Sequence, residues 1–330
     1  MPRSFKISLV NGSTIQNIQS LTILNSAMIS ELNIAYSCKT GRCGVCKVSL
    51  LKGEVKELQA QLALTTTDRE NHKILTCCCE PITDVVIDAE DLAALKGLNV
   101  KTLPSRIAKI NVLSNDIIEI QLRFPPSADF KFLEGQYLDV IWNGIRRSYS
   151  IASTSLDKEV TLLIKKVELG IMSNYWFTEA KLNDLLRIEG PKGTFFLRNK
   201  ENPIIMLATG TGIAPIMSIL HKLDQDKNYQ QLQSISLFWG NRFVDDFVWQ
   251  PEFKNITVNL EKIISKPNSS WIGKSGYIQN IALEVLGDKV IESDVYACGS
   301  NEMIQSAKQN FIQAGLKEGR FYSDAFVQSY

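Results

Sequence analysis

Tyr36-Ser37-Cys38-Lys39-Thr40-Gly41-Arg42-Cys43-Gly44-Val45-Cys46, followed downstream by Leu75-Thr76-Cys77, is the stretch that decides how this chain is read. The spacing C-x4-C-x2-C…C is that of a plant-type [2Fe–2S] centre. Three thiolates so close in sequence cannot share one helix face, which predicts a loop wrapped around a cluster. Gly41 and Gly44 let the backbone approach the inorganic sulfides and aim N–H groups at them. Zinc usually pairs two C-x2-C knuckles, and only one is present here. Cys38, Cys43, Cys46 and Cys77 are therefore the expected ligands. Cys78 and Cys79 lie in the same short segment and are expected to be bystanders that could compete for the fourth position.

Working outward, seven cysteines is an odd number. With four assigned to a cluster, Cys78, Cys79 and Cys298 remain as thiols, which fits a reducing cytoplasm. The net charge of +1 gives no electrostatic case for nucleic-acid or membrane binding. No apolar run approaches the ~18 residues of a membrane span. The N-terminal stretch Met1-Pro2-Arg3-Ser4-Phe5-Lys6 lacks the apolar core of a signal peptide. The 330 residues suggest two or three domains.

Residues 1–90 read as a small β-rich unit of β-grasp order. Phe5–Leu9 alternates as a strand, Asn11-Gly12 signals a hairpin, Ile23–Glu31 suggests a short helix, and Val45–Leu50 and Val85–Ile87 are strands. Residues 91–104 read as a linker in which Gly97 and Pro104 break any long element. Over residues 105–198, short strands at Ile107–Val112, Ile117–Arg123, Tyr137–Trp142 and Val160–Lys166 predict a small antiparallel barrel, with one helix near Ser173–Ala180. Residues 199–330 alternate strands with helices, which predicts an α/β domain with a parallel sheet.

In the barrel segment, Arg147-Ser148-Tyr149-Ser150 places a cation, an aromatic ring and a hydroxyl at the end of a strand. Arg147 suits a phosphate, Tyr149 can stack on a flat ring, and Ser150 can hydrogen-bond the ring's edge. Alone, an edge strand of mixed polarity explains the pattern as well. Gly170-Ile171-Met172-Ser173 opens the predicted helix with Ser173 as its N-cap, and a helix N-terminus favours a phosphate. An ordinary serine-capped turn is the plain alternative. The two motifs together point to a flavin dinucleotide.

Ile204–Ala208 is an all-apolar strand leading into Thr209-Gly210-Thr211-Gly212-Ile213-Ala214-Pro215. Gly210 and Gly212 permit close approach of a pyrophosphate, and Pro215 suits the first turn of a helix. Two further strand ends, Trp239-Gly240 and Cys298-Gly299-Ser300, belong to the same sheet edge, where open α/β sheets bind ligands. Cys298 then stands over the crevice, although a lone buried cysteine more often fills core space. Asp245 and Asp246 follow Gly240. A carboxylate there repels a 2′-phosphate and favours NADH over NADPH, with solvated surface carboxylates as the alternative. Neither His72 nor His221 is assigned a role.

These pieces together resemble the ferredoxin–NADP reductase superfamily, and more narrowly its NADH-dependent members with an N-terminal plant-type ferredoxin. The resemblance spans the whole chain and rests on R-x-Y-S at 147–150, G-x-x-S at 170–173, T-G-T-G-I-A-P at 209–215 and Y-A-C-G-S at 296–300. It implies a multi-domain fold of β-grasp [2Fe–2S] ferredoxin, antiparallel β-barrel FAD domain and α/β parallel-sheet nicotinamide domain. It also implies an electron relay from NADH through FAD and the cluster to a partner protein, with Cys298 and Ser150 at the reacting centre and Phe326 beside the flavin ring.

The runs Leu185–Phe196, Tyr296–Ser300 and Ser323–Val327 are most similar to the reductases that serve 3,6-dideoxyhexose synthesis for bacterial surface polysaccharide. That similarity implies a pyridoxamine-dependent CDP-ketosugar 3-dehydrase as the electron acceptor. Reductases of aromatic-ring dioxygenases and multicomponent monooxygenases share the domain order. A redox-sensing carrier module and a free-flavin reductase are further alternatives. The family more often has Gly where Thr209 stands and Pro where Ser300 stands. Lys39, Thr40 and Arg42 in the cysteine loop predict that it lies at the surface, open to an acidic partner.

Overall fold

The computed structural model describes residues 4–198, 201–226, 233–269 and 271–327. The N-terminal residues 1–3 and the expected 198/199 boundary touch positions outside that set. Residues up to Leu98 form one unit and Asn99–Phe326 a second.

In the first unit, β1 (Lys6–Leu9) buries Ile7 and Leu9 on one face, as its alternation predicts. Gly12, with φ +89°, turns the chain into β2 (Thr14–Gln16), antiparallel to β1. Thr22 accepts a hydrogen bond from the Asn25 N–H at 3.2 Å and caps α1 (Ile23–Ile29). This helix packs Ile23, Leu24 and Ala27 into the core. Then follow β3 (Lys47–Lys52), β4 (Val55–Glu57), α2 (Thr66–Glu70), β5 (Lys73–Leu75), β6 (Cys79–Pro81) and β7 (Val85–Ile87). The sheet order is β2-β1-β7-β3-β5, with β1 and β7 parallel, and β4–β6 form a separate ribbon.

The second unit starts earlier than the expected strand. β8 (Lys101–Val112) takes in the end of the expected linker, so Pro104 lies within a strand and does not break it. The stretch 101–105 pairs with one neighbour only, where a missing N–H is tolerated. The barrel continues with β9 (Ile117–Arg123), β10 (Tyr137–Trp142), β11 (Ile145–Ser150), β12 (Val160–Lys165) and β13 (Leu185–Lys192). The order is β11-β10-β13-β8-β9-β12, every neighbour antiparallel. An Ile151–Leu162 bridge and an Ala152 N–H to Thr161 carbonyl bond of 2.8 Å bring the outer strands together, so the barrel is nearly closed. Between β12 and β13, α3 (Ile171–Asn174) runs into a π-helical turn, Tyr175–Glu179, closed by Ala180 N–H to Tyr175 carbonyl.

The nicotinamide half comprises β14 (Ile204–Thr209), α4 (Ile213–Gln225), β15 (Ile235–Asn241), β16 (Val258–Ile264), β17 (Lys274–Ser275), α5 (Ile278–Leu286), β18 (Asp294–Ser300), α6 (Asn301–Gln313) and β19 (Phe321–Phe326). All strand pairs are parallel, in the order β17-β16-β15-β14-β18-β19. β15 is buried along its whole length, as expected for strands covered on both faces. The chain runs one way from β14 to β17, then returns to the other side of β14 with β18. The switch point therefore lies between β14 and β18.

Candidate functional site

The cysteine sulfurs gather two by two. Cys46 and Cys77 stand 3.3 Å apart, and Cys38 and Cys43 hydrogen-bond each other. The bond from Cys43 brings Cys38 down to about 5, and the bond from Cys46 brings Cys77 down to about 7. Their partners Cys43 and Cys46 are pushed up by the same bonds and by burial. Backbone N–H groups of Thr40 and Arg42 point at Cys38, and that of Gly41 at Cys77. Left-handed backbone at Lys39, Gly41 and Gly44 (φ +58°, +72° and +74°) makes this inward aim possible.

Four sulfurs grouped in this way fit the thiolate set that a [2Fe–2S] cluster takes. Among the described residues no three His, Cys, Asp or Glu side chains meet as a site for a single ion. The fully buried Thr76 hydroxyl, next to Cys77, has no partner among the described residues, which fits a further group in the loop.

Residues 58–63 strap the loop down. Gln59 Nε2 donates to the carbonyls of Lys39 (3.0 Å) and Cys77 (2.7 Å), and the Ala63 N–H donates to the Gly41 carbonyl at 2.8 Å. The loop is less open than its charges suggested. Arg42 and Thr40 are exposed, but Lys39 is half-buried, its ammonium 4.5 Å from the Tyr36 ring centroid and 3.2 Å from Met28 sulfur. Its long stem is drawn onto the apolar neighbours.

In the barrel, the two flavin motifs meet. Trp176 Nε1 donates to the Tyr149 hydroxyl at 2.9 Å, and the rings stand edge to face at 6.1 Å. Burial pushes the Tyr149 phenol up to about 12. Arg147 is half-buried, its Nη1 donating to the Arg146 carbonyl at 2.7 Å, and Ser150 is buried at the strand end. Ser173 is not an N-cap. Gly170 holds that position, while the Ser173 hydroxyl, inside the helix, accepts from the Val167 N–H at 2.7 Å and closes the loop that leads to Gly170. Met172 is buried.

Arg146 and Ser148 alternate with Arg147 and Tyr149, so they face the other way. There Arg146 meets Asp139 (3.0 Å) and Glu189 (2.6 Å), Lys192 meets both carboxylates (2.6 Å to Asp139), and Ser148 donates to Asp139 at 2.6 Å. Burial raises Asp139, but Lys192, Ser148 and Arg146 outweigh it and hold the carboxyl below its ordinary value. Sequence reading missed this network, because only the strand register brings Asp139 and Glu189 opposite each other. Trp176 was also missed, although the aromatic run Tyr175-Trp176-Phe177 after the glycine–serine motif was a usable signal.

At the switch point, glycines let neighbouring chain and side chains close in on the backbone. A Cβ on Gly212 would stand 2.3 Å from the Cys298 carbonyl oxygen, and one on Gly240 equally close to Ile278. Gly210, with φ +55°, faces open space, while Trp239 Nε1 donates to its carbonyl at 3.1 Å. Thr211 lies between these glycines, and Pro215 sits in the first turn of α4. The Thr209 hydroxyl accepts from the Ser300 N–H at 3.1 Å and occupies the space a side chain on Gly299 would need.

Cys298 does not open onto the crevice. It is fully buried, and burial together with the neighbouring Asp324 carboxylate on β19 pushes its thiol well up. Asp246 is also buried and turned to Lys165 of β12 at 3.4 Å, so it ties the sheet to the barrel instead of addressing a ribose. Phe326 ends β19 level with Ser300 and is partly exposed. Asp324 and the buried Asn241 at the end of β15, whose Oδ1 lacks a partner among the described residues, were not foreseen. Strand order alone places them at this edge.

Three domain families match in this order: "2Fe-2S iron-sulfur cluster binding domain" over residues 9–81, "Oxidoreductase FAD-binding domain" over 104–197, and "Oxidoreductase NAD-binding domain" over 206–309. The CDP-6-deoxy-L-threo-D-glycero-4-hexulose-3-dehydrase reductase of Yersinia pestis is 40% identical over 313 residues, covering 93% of this chain and 94% of that one. The chain belongs to the same family of reductases.

As a member of this family it is an oxidoreductase that uses a [2Fe–2S] cluster, FAD and NAD. Protein RfbI of Salmonella typhimurium is 36% identical, covering 93% of this chain and 92% of that one. The toluate 1,2-dioxygenase electron transfer component of Pseudomonas putida is more distant, at 27% with 93% of each chain covered. The Amycolatopsis cytochrome P450 reductase GcoB shares the fold, with TM-score 0.73, 21% identity and coverage of 98% and 99%. No helix among the described residues is long and apolar enough to cross a membrane.

Proposed function

We propose that the chain is the cytoplasmic NADH-dependent reductase of a pyridoxamine-dependent CDP-ketosugar 3-dehydrase, acting in dideoxyhexose synthesis for surface polysaccharide. The observation that carries this reading is the 40% identity over nearly the whole length to a dehydrase reductase, against 27% to a dioxygenase component. Bound together, the three cofactors convert a two-electron hydride donor into a source of single electrons.

The chain's own residues supply position and electrostatics. Residues 1–90 hold the cluster, with Cys38 and Cys43 on one iron and Cys46 and Cys77 on the other. Residues 105–198 hold FAD: Arg147 and the turn Gly170–Ser173 receive its phosphates, Tyr149 packs on the ring, and Ser150 addresses its edge. Residues 199–330 hold the nicotinamide dinucleotide over Thr209–Gly212, Pro215, Gly240 and Gly299. Residues 91–104 join the first two. The buried Cys298 supports the nicotinamide end from within the sheet, and Phe326, at the end of β19, lies by the flavin ring. With Asp246 held by Lys165, the exposed Asp245 is the carboxylate left to disfavour a 2′-phosphate.

The test is NADH oxidation by the purified chain with the dehydrase and its CDP-ketosugar, run beside a dioxygenase terminal component. Turnover with the dehydrase alone supports the assignment. Turnover with the dioxygenase alone moves it to the aromatic-ring systems, and no NADH oxidation even with ferricyanide leaves a carrier module.

A further inference from the structure

Three consecutive cysteines close the cluster segment, and the fold treats them differently. Leu75–Cys78 is a tight turn closed by the Cys78 N–H to Leu75 carbonyl bond at 2.8 Å. In an extended strand neighbouring side chains face opposite ways, but a turn relaxes that rule. Here the Cys77 and Cys78 sulfurs lie 3.5 Å apart, and Cys77 is 3.3 Å from Cys46. A second observation places Cys78 at the loop itself. A Cβ built on Gly41, between Cys38 and Cys43, would stand 2.8 Å from the Cys78 sulfur. The thiol is fully buried and makes a long contact, 3.7 Å, to the Ala60 carbonyl, with the Gln59 side chain also beside it. Cys79, by contrast, opens β6 opposite Glu57 in the β4–β6 ribbon.

Two thiolates on one tetrahedral iron, each ~2.3 Å from the metal, are separated by roughly 3.5–4 Å. The Cys78 sulfur is therefore one ligand-to-ligand step from Cys77, on the side of the turn that faces the loop. We propose that Cys78 is a reserve ligand: the cluster can be held by Cys38, Cys43, Cys46 and Cys78 when Cys77 is lost. The exchange is thiolate for thiolate. Cys78 releases its proton to water as its sulfur binds iron, and the cluster keeps four sulfur ligands and its oxidation state. The inference rests on the ligand set assigned above.

The experiment uses the full chain, reconstituted anaerobically with iron and sulfide, and reads iron content, the visible charge-transfer spectrum and the electron paramagnetic resonance of the reduced cluster. Cys77→Ala should retain a [2Fe–2S] signal with shifted bands and g-values. Cys77→Ala/Cys78→Ala should lose it, and Cys78→Ala and Cys79→Ala should keep the parent spectrum. FAD content and the far-ultraviolet dichroism of each variant report whether it folds. If Cys77→Ala does not fold, Cys77→Ser, which keeps the size of the side chain, is compared with Cys77→Ser/Cys78→Ala in the same way. Folded Cys77 variants empty of iron, or single and double variants with the same spectrum, would overturn the proposal. Cys46→Ala separates the two readings. Loss of the cluster there leaves the ligand set standing whatever Cys78 does, whereas an intact cluster would sink the ligand set itself.

Discussion

The cysteine loop and the carboxyl edge of the parallel sheet both prepare a site for a cofactor, by opposite means. The loop takes three sulfurs from nine consecutive residues and orders them with left-handed backbone and a strap of hydrogen bonds. The sheet edge takes single residues from β14, β15, β18 and β19 and orders them by strand register. The first site is local and tolerates little change in backbone shape. The second is distributed, and its close contacts are made at glycines, so its tolerance is set by where side chains are absent.

The largest expected effect follows from the loop's local character. Gly41→Ala adds a methyl 2.3 Å from the Ala60 carbonyl oxygen at a residue with φ +72°. Loss of the cluster spectrum is expected, while FAD and NADH-driven ferricyanide reduction persist. If the cluster survives, the loop is more plastic than its geometry indicates. Next comes the barrel. Arg147→Ala removes a charge-assisted phosphate contact of about 1.5–3 kcal/mol, so FAD should bind roughly 10–150-fold more weakly with the cluster intact. Fluorescence titration of the apoflavoprotein measures this, and unchanged affinity would remove Arg147 from the site.

A smaller effect is expected at the sheet edge. Thr209→Val keeps the shape but deletes the acceptor for the Ser300 N–H, a bond of about 0.5–1.5 kcal/mol, so the KM for NADH should rise about two- to twelve-fold. Thr209→Ser should restore it. Equal behaviour of the two variants would show that the edge is set by packing alone.

The smallest concerns pH. Arg146 and Lys192 hold Glu189 down at about 2 against an ordinary 4.5, and Asp139 is held low as well. A carboxylate lowered on folding contributes stability that is complete above the unfolded value and is lost as pH falls toward the folded one. Thermal stability should therefore fall as pH drops from about 4.5 to 2, and Asp139→Asn should flatten that slope. The same slope in both chains would assign the acid sensitivity elsewhere.

The contrast also explains what could be read in advance. Cysteine spacing exposed the cluster, and the apolar run at 204–208 and the strand at 234–238 exposed the parallel sheet, because both signals are contiguous. β11 was read only as a strand end at Arg147–Ser150, and β13 was not recognised as a strand. β11, Ile-Arg-Arg-Ser-Tyr-Ser, is polar on the face that carries the ion network, and β13 carries Gly190-Pro191, a pair that reads as a break. Asp246 looked like a ribose selector because Lys165, its partner, is 81 residues away in sequence. Ser173 looked like a cap because the helix starts three residues earlier than its pattern suggests.

The hydroxyl of Thr209 constrains how this edge can drift. Its oxygen fills the space of a Gly299 side chain and receives the Ser300 N–H, so positions 209, 299 and 300 do not vary independently. Ser300 already has φ −64°, a backbone that proline adopts without strain. What excludes proline there is the N–H bound to Thr209, together with the cap that the Ser300 hydroxyl makes on α6 at the Met303 N–H. Once residue 209 becomes glycine, the first obstacle is gone and proline at 300 costs only the cap. Glycine with proline at these two positions and the threonine–serine pair of this chain are then two self-consistent solutions. The single substitutions between them form the uphill step, and the order in which they arise decides whether a lineage can cross.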